Sequence, residues 1–253
     1  MQDELAAFRG GAAFYEVMFD ADARLEREGP LLRDALARAP GNRVADLACG
    51  TGPHALYLAG QGAQVAASDL SAEMVTYARE HRAHPNVTYS RADMRDAAGG
   101  PWDLALCLGN SMSLLPDRDA VRQLLEHVRG NLAPGGLFLV QVLNYAAAPA
   151  QEPRHRVVRK PHAGAQVVAV KSLVPGHGHT LLSLAFFAFQ KDQHTSLAES
   201  AVLLHLMRED LAAMADAARL RTVAIWGGFD QAPFIAENAP DLICLFERPK
   251  EID

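Results

Sequence analysis

Val44-Ala45-Asp46-Leu47-Ala48-Cys49-Gly50-Thr51-Gly52 decides the fold. Val44–Ala48 reads as a buried strand carrying one acid. It runs into a glycine-rich turn, and a helix opens at Pro53. Glycines let the chain turn tightly and let a ligand lie against main chain with no Cβ in the way. The helix behind the turn aims its N-terminus at the same spot. Strand, turn and helix together predict a nucleotide-like ligand.

Two ligands compete for that turn. Gly50, Gly52 and Ala55 satisfy the dinucleotide pattern G-x-G-x-x-A, and Asp69 stands near the expected distance downstream. A dinucleotide, however, would place a pyrophosphate close to Asp46, and the two negative charges would repel. Pro53 also removes a backbone N–H that a pyrophosphate could use. A ligand with a sulfonium and an ammonium suits the turn better, and S-adenosylmethionine carries both.

The chain of 253 residues is read as one domain, or one domain with a sizeable insertion, and 49% hydrophobic residues are ample for a core. A net charge of −6 argues against a general nucleic-acid binder. No apolar run reaches the roughly 18 residues of a membrane span. The start, Met1-Gln2-Asp3-Glu4, shows no signal-peptide pattern. Cys49, Cys107 and Cys244 sit in apolar surroundings and read as buried thiols of a cytoplasmic protein. Among the ten histidines no spacing suggests a metal site; His177 and His179 lie in a glycine-rich turn.

Alanine-rich segments over about 2–20 and 21–38 read as helices, closed by Pro40-Gly41-Asn42. Strands and helices then alternate. Strands are expected at 63–68, 87–90, 102–108 and 137–142, and helices at 53–60, from Ser71 to about His81, and at 117–131. Such alternation predicts a parallel sheet with helices on both faces and a ligand beyond the strands' carboxyl ends. Gly50, Asp69, Asp93 and Asn110 all fall at such ends. From about Val157 to Met207 the pattern becomes strand-like, with runs at 166–174, 180–190 and 200–206. There Leu182, Leu184 and Phe186 face one way and Phe187 and Phe189 the other, as in an antiparallel sheet that buries both faces over the cleft. A helix at 210–218 and strands at 220–226 and 242–246 follow; the last two are expected to pair as an antiparallel edge.

These residues resemble the class I S-adenosylmethionine-dependent methyltransferases, strongly over Val44–Tyr145. The resemblance implies an α/β, Rossmann-like doubly wound sheet of seven mostly parallel strands, the last antiparallel, with an inserted antiparallel β lid. Residues 1–40 would form helices over the cofactor cleft and 41–150 the binding core. Residues 151–206 would form the lid, and 207–253 would complete the sheet. Val44–Gly52 is similar to the family's first motif, which brings Asp46, Ala48, Gly50 and Gly52 to the cofactor. Asp69, 23 residues after Asp46, would accept both ribose hydroxyls. Leu70 and Met74 would border the adenine, and Ala92-Asp93-Met94 would read its amino group and ring.

A narrower likeness is to the glycine and sarcosine N-methyltransferases. It lies in Cys107-Leu108-Gly109-Asn110-Ser111, in Leu114-Leu115-Pro116-Asp117, in Asn144-Tyr145, and in Gly228-Phe229 with Pro233-Phe234. It implies that Leu108 borders the cofactor and that Arg24 binds the cofactor's carboxylate. Those enzymes carry an arginine before Asn-Tyr that clamps the substrate carboxylate. Here Leu143 stands in its place, with Ala146 where an acid would follow, so glycine is not expected as acceptor. Nucleobase amino-methyltransferases fit less well, because Gly109-Asn110-Ser111-Met112 offers no stacking ring.

Asn110 is read either as holding the acceptor or as capping a loop. Tyr145 is read either as lining the acceptor pocket or as a half-buried aromatic under the lid. Tyr15 and Phe14 either fold over the cofactor or belong to an amphipathic helix. His54 reads either as a neighbour of the cofactor or as an exposed first-turn residue, and Arg154–His162 either as a cluster that recruits an anionic substrate or as the charged face of an edge strand. No His–acid pair is visible near the strand ends, which favours a nitrogen nucleophile that needs no base. The expectation is methylation of a small molecule at nitrogen, leaving S-adenosylhomocysteine. The alternatives are an O- or S-methyltransferase, a noncatalytic binder of the same cofactor, and a nicotinamide oxidoreductase.

Overall fold

The computed structural model describes residues 11–250. The expected start of the first helix, at residue 2, lies outside them. Two helices open the described chain, α1 (Gly11–Met18) and α2 (Ala21–Arg38). Then come β1 (Arg43–Leu47), α3 (Pro53–Gly60), β2 (Gln64–Asp69), α4 (Ala72–His81), β3 (Val87–Arg91) and β4 (Trp102–Cys107). After a 3-10 turn at Ser111–Leu114 come α5 (Arg118–Asn131) and β5 (Leu132–Leu143). Four inserted strands follow, β6 (Arg154–His162), β7 (Ala165–Pro175), β8 (His179–Gln190) and β9 (Gln193–Leu204), and α6 (Arg208–Ala217), β10 (Arg221–Trp226) and β11 (Asp241–Glu247) end it.

The main sheet has seven strands in the order β10-β11-β5-β4-β1-β2-β3. β1 to β5 run parallel, and β11 is antiparallel to both its neighbours, β5 and β10. The expected pairing of the last two strands is present, but β11 enters between β5 and β10, so of the two only β10 is an edge strand. β1 sits at the switch point: the chain builds outward from it through β2 and β3 on one side and through β4 and β5 on the other. A ligand crevice opens at the carboxyl ends of strands at such a point.

The sheet's apolar runs follow from burial on both faces. Ala45, Leu47, Ala105 and Val140 pack against Val121, Leu124, Leu125 and Val128 of α5 and against Leu211 and Met214 of α6. Val44, Val65, Leu104 and Leu139 pack against Leu31 and Leu32 of α2, Leu58 of α3 and Val75 of α4. Asp46 has the parity of Val44 and so points toward α2 and α3.

β6 (Arg154–His162), β7 (Ala165–Pro175), β8 (His179–Gln190) and β9 (Gln193–Leu204) form a separate antiparallel meander, the lid. Charged β6 is an edge strand. Phe186, Ala169 and Val167 on its inner face pack against Phe14, Val17 and Met18 of α1. The outer face departs from expectation: Phe187, Phe189, Leu181, Val202 and Val157 are exposed, so only one face is buried against the rest of the molecule. β9 starts seven residues before the expected strand. His194, Ser196 and Ser200 on its outer side carry no apolar signal, and backbone pairing to β8 alone defines the strand there. β5 likewise begins before Pro134-Gly135-Gly136, with a register shift where it meets β4.

Candidate functional site

A cleft of about 780 Å³ lies at the carboxyl ends of β1, β2 and β4, roofed by α1, α2 and the lid. That size suits a cofactor together with a small partner. It is lined by Arg24, Asp46, Ala48, Gly50, Asp69, Leu70, Met74, Asp93, Met94, Leu108 and Asn110. The sequence thus names much of one wall of a real cavity. Gly52 stands just behind, as the left-handed N-cap of α3 with Pro53 in its first turn.

The chain bends sharply where it leaves the strands. Ala48 and Asn110, beyond β1 and β4, both have positive φ, 55° and 64°. Left-handed non-glycine residues cost energy and gather at functional turns. A Cβ built on Gly50 would meet nothing within 4 Å, so the backbone there faces open cleft.

Asp69 holds the turn together. Its Oδ2 accepts the Gly50 N–H at 2.8 Å and its Oδ1 the Ser71 N–H at 2.9 Å. Each oxygen keeps a further lone pair for a hydroxyl. Ser71 caps α4 by accepting the Met74 N–H, as expected. Asp93 accepts from Arg95 through both oxygens, and the guanidinium holds its carboxyl below the usual range. Leu70 is 62% exposed at the rim.

Asp46 is fully buried, and its Oδ2 has no hydrogen-bond partner among the described residues. Burial pushes its carboxyl up to about 6; His54 and Arg24 pull it back, and Asp69 adds to the rise. Glu28, also buried, anchors the neighbouring cations. Arg24 Nε donates to both its oxygens at 3.0 Å, Arg27 donates at 2.7 Å, and His54 Nε2 lies 2.7 Å away. Burial raises the Glu28 carboxyl, but His54 and Arg24 overcome it and hold it down at about 2. An ionised Glu28 makes His54 Nε2 the donor. Arg24 also reaches the turn after β4: a Cβ on Gly109 would stand 3.1 Å from its Nη2.

His54 is therefore buried and partnered, not an exposed first-turn residue. The His–acid pair that the sequence did not reveal exists. Glu28 shares itself with two arginines, so the pair orients cations beside Asp46.

Four neighbours hold Asn110. Its N–H donates to Gln141 Oε1 at 3.0 Å, and its Oδ1 accepts from Leu143 N–H and Ser113 Oγ. Its Nδ2 lies 3.0 Å from Tyr145 Oη. Tyr145 is only 2% exposed and stands behind Asn110, stacked on His205, away from the cleft surface. It is better described as a support for Asn110 than as a wall of the pocket. Gln141 in turn donates to Asp241 at 2.7 Å. The sequence missed Glu28, Gln141 and Lys171. Signals existed: Glu28 stands four residues after Arg24 on one helix, Gln141 is the lone polar side chain of β5, and Lys171 is the lone charge in β7.

Tyr15 of α1 also lines the cleft. Burial pushes its phenol up to about 12, with Glu199 and Asp69 adding to the rise. All three cysteines are buried and free. Among the described residues no cluster of His, Cys, Asp or Glu is arranged for a metal, and no helix is long and apolar enough to cross a membrane.

Comparison with known proteins agrees with this geometry. Residues 44–136 match the model of a methyltransferase domain. The glycine N-methyltransferase of Oryctolagus cuniculus is 34% identical over 121 residues, covering 41% of each chain. The glycine/sarcosine N-methyltransferase of Halorhodospira halochloris is 30% identical over 136 residues, 52% of this chain and 51% of that one. The chain thus spans about half or less of the curated relatives it matches. An S-adenosylmethionine-dependent methyltransferase of Clostridium acetobutylicum superposes with a TM-score of 0.79 over 96% of this chain and 99% of that one, at 17% identity. The resemblance read from the strand–turn motif therefore stands, in domain and in fold.

Proposed function

We propose that this chain, with a methyltransferase domain at residues 44–136, binds S-adenosylmethionine and methylates a small molecule at nitrogen. The observation that carries the reading is Asp46. A buried carboxylate oxygen without a partner is costly unless a cation or donor settles on it. A sulfonium–ammonium ligand supplies such a group, whereas a pyrophosphate would worsen the charge. The open backbone at Gly50, the spare lone pairs of Asp69 and the held guanidinium of Arg24 fit the rest of the cofactor. Nitrogen is favoured by the N-methyltransferase relatives.

When bound, S-adenosylmethionine supplies a methyl already activated on a sulfonium. An amine acceptor that took up that methyl would leave the cofactor as a thioether and release its extra proton to water. The protein's part is to position, to shield from water and to hold charge. Asp69 would fix the ribose, Arg24 the carboxylate, and Asp93, Met94, Leu70 and Met74 the adenine. Leu108 would border the cofactor, and Gly52 and Ala48 would shape the turn. Asn110, immobilised by Gln141, Ser113 and Tyr145, would present its amide edge to the acceptor.

Calorimetry with S-adenosylhomocysteine and NAD tests the first step: only the former should saturate. A methyl-release assay over amines, phenols and thiols tests the second. Turnover confined to phenols or thiols would move the chemistry off nitrogen, and tight cofactor binding with no turnover on any acceptor would leave a noncatalytic binder.

A further inference from the structure

One row of the lid carries charge toward the cleft. Cross-strand pairing aligns Arg156 of β6, Lys171 of β7, Leu184 of β8 and Glu199 of β9. Directly opposed residues share a face, and all four line the cleft. Lys171 is the unusual member. Its ammonium lies 5.2 Å from the Phe19 ring centroid, and it forms no ion pair among the described residues. Burial presses its ammonium down to about 8, and Arg156, Arg154 and Arg24 add like-charge repulsion. A partly buried cation crowded by cations, in a cavity, is a standing site for an anion, because one anion relieves both penalties.

Position assigns that site to the acceptor. Leu173, two residues on along the same face of β7, packs with Tyr145 and Leu203, and Leu143 and Leu182 join them. Lys171 therefore lies on the lid face that meets Tyr145 just beyond β5, two residues along the strand from that contact, and Tyr145 is bonded to Asn110. We propose that the acceptor carries a carboxylate, anchored by Lys171 and Arg156 from the lid. This rests on the methyl-transfer reading and replaces the expectation that a carboxylate acceptor lacks an anchor here. Glu199, two strands from Lys171 and so roughly 10 Å away, opposes a second anionic group and suits the acceptor's cationic or donor end.

The test is calorimetry on the full chain, with and without S-adenosylhomocysteine. The probes are glycine, β-alanine, γ-aminobutyrate and anthranilate, each beside its primary amide. At least one acid should bind at least tenfold tighter than its amide. Lys171→Gln and Arg156→Gln should each cost that acid tenfold or more while changing amide and S-adenosylhomocysteine affinity less than twofold. Equal binding of acid and amide, no saturable binding of any acid, or indifference of both variants overturns the proposal. An equal loss of cofactor affinity also overturns it, because Lys171 would then serve the cofactor's own carboxylate. Failure of the methyl-transfer reading shows separately, as absence of S-adenosylhomocysteine binding by the unaltered protein, and the carboxylate titration without cofactor still reads the lid.

Discussion

Asp46 shows how a single side chain couples protonation to two equilibria of opposite sign. Its folded carboxyl titrates at about 6, above an unfolded value of about 3.9. Its stabilising share is therefore complete below about pH 4 and is lost as pH rises through about 6. Asp46→Asn should stabilise the unliganded protein at pH 7 by on the order of 2 kcal/mol, read by urea unfolding. A cationic ligand favours the ionised form, with Arg24, His54 and Asp69 as the other charges in view. Cofactor affinity should thus climb between about pH 5 and pH 7 and then level, and Asp46→Asn should flatten the profile. A flat profile in the unaltered protein would show that no cation sits beside this carboxylate. Asp69→Ala should cost the cofactor a few kcal/mol, about a hundredfold in affinity. Asn110→Ala should leave S-adenosylhomocysteine affinity within a few-fold and depress kcat. A collapse of thermal stability instead would make Asn110 a structural pin alone.

At the scale of elements, the turn between β1 and α3 admits little change. Gly52 has φ 85°, and a Cβ there would stand 2.7 Å from the Tyr89 ring. Gly52→Ala should lower stability by about 2 kcal/mol or more, as a shift in the urea midpoint. Helix starts were legible for local reasons: Ser71 and Asp117 each accept an N–H three residues on. The central strands were legible because both faces are buried. β9 and the exact start of β5 were not, because edge pairing and a register shift leave no mark on hydrophobic pattern.

At the scale of the molecule, α1 ties the lid to the core. Phe14 stacks on Phe186 of the lid at 4.9 Å. On the other side, Glu73 of α4 accepts the Ala12 N–H at 2.8 Å, and Arg82 donates to Glu16 at 2.6 Å and to Thr51 O at 2.9 Å. A ligand filling the cleft beneath α1 should stabilise this bridge. Hydrogen exchange should slow over residues 11–28 when S-adenosylhomocysteine binds and stay unchanged over β5. Uniform slowing across the sheet would point to global stabilisation instead.

The sequence by itself determined the doubly wound core and the carboxylates at its strand ends, because strand period, glycine turns and helix caps act over a few residues. Only the tertiary structure decided that Glu28 and His54 meet beneath Asp46, that Tyr145 retreats behind Asn110, and that Lys171 and Arg156 face the cleft. Those contacts join residues far apart in the chain. Their energies depend on burial and on neighbouring charge, which linear spacing does not encode.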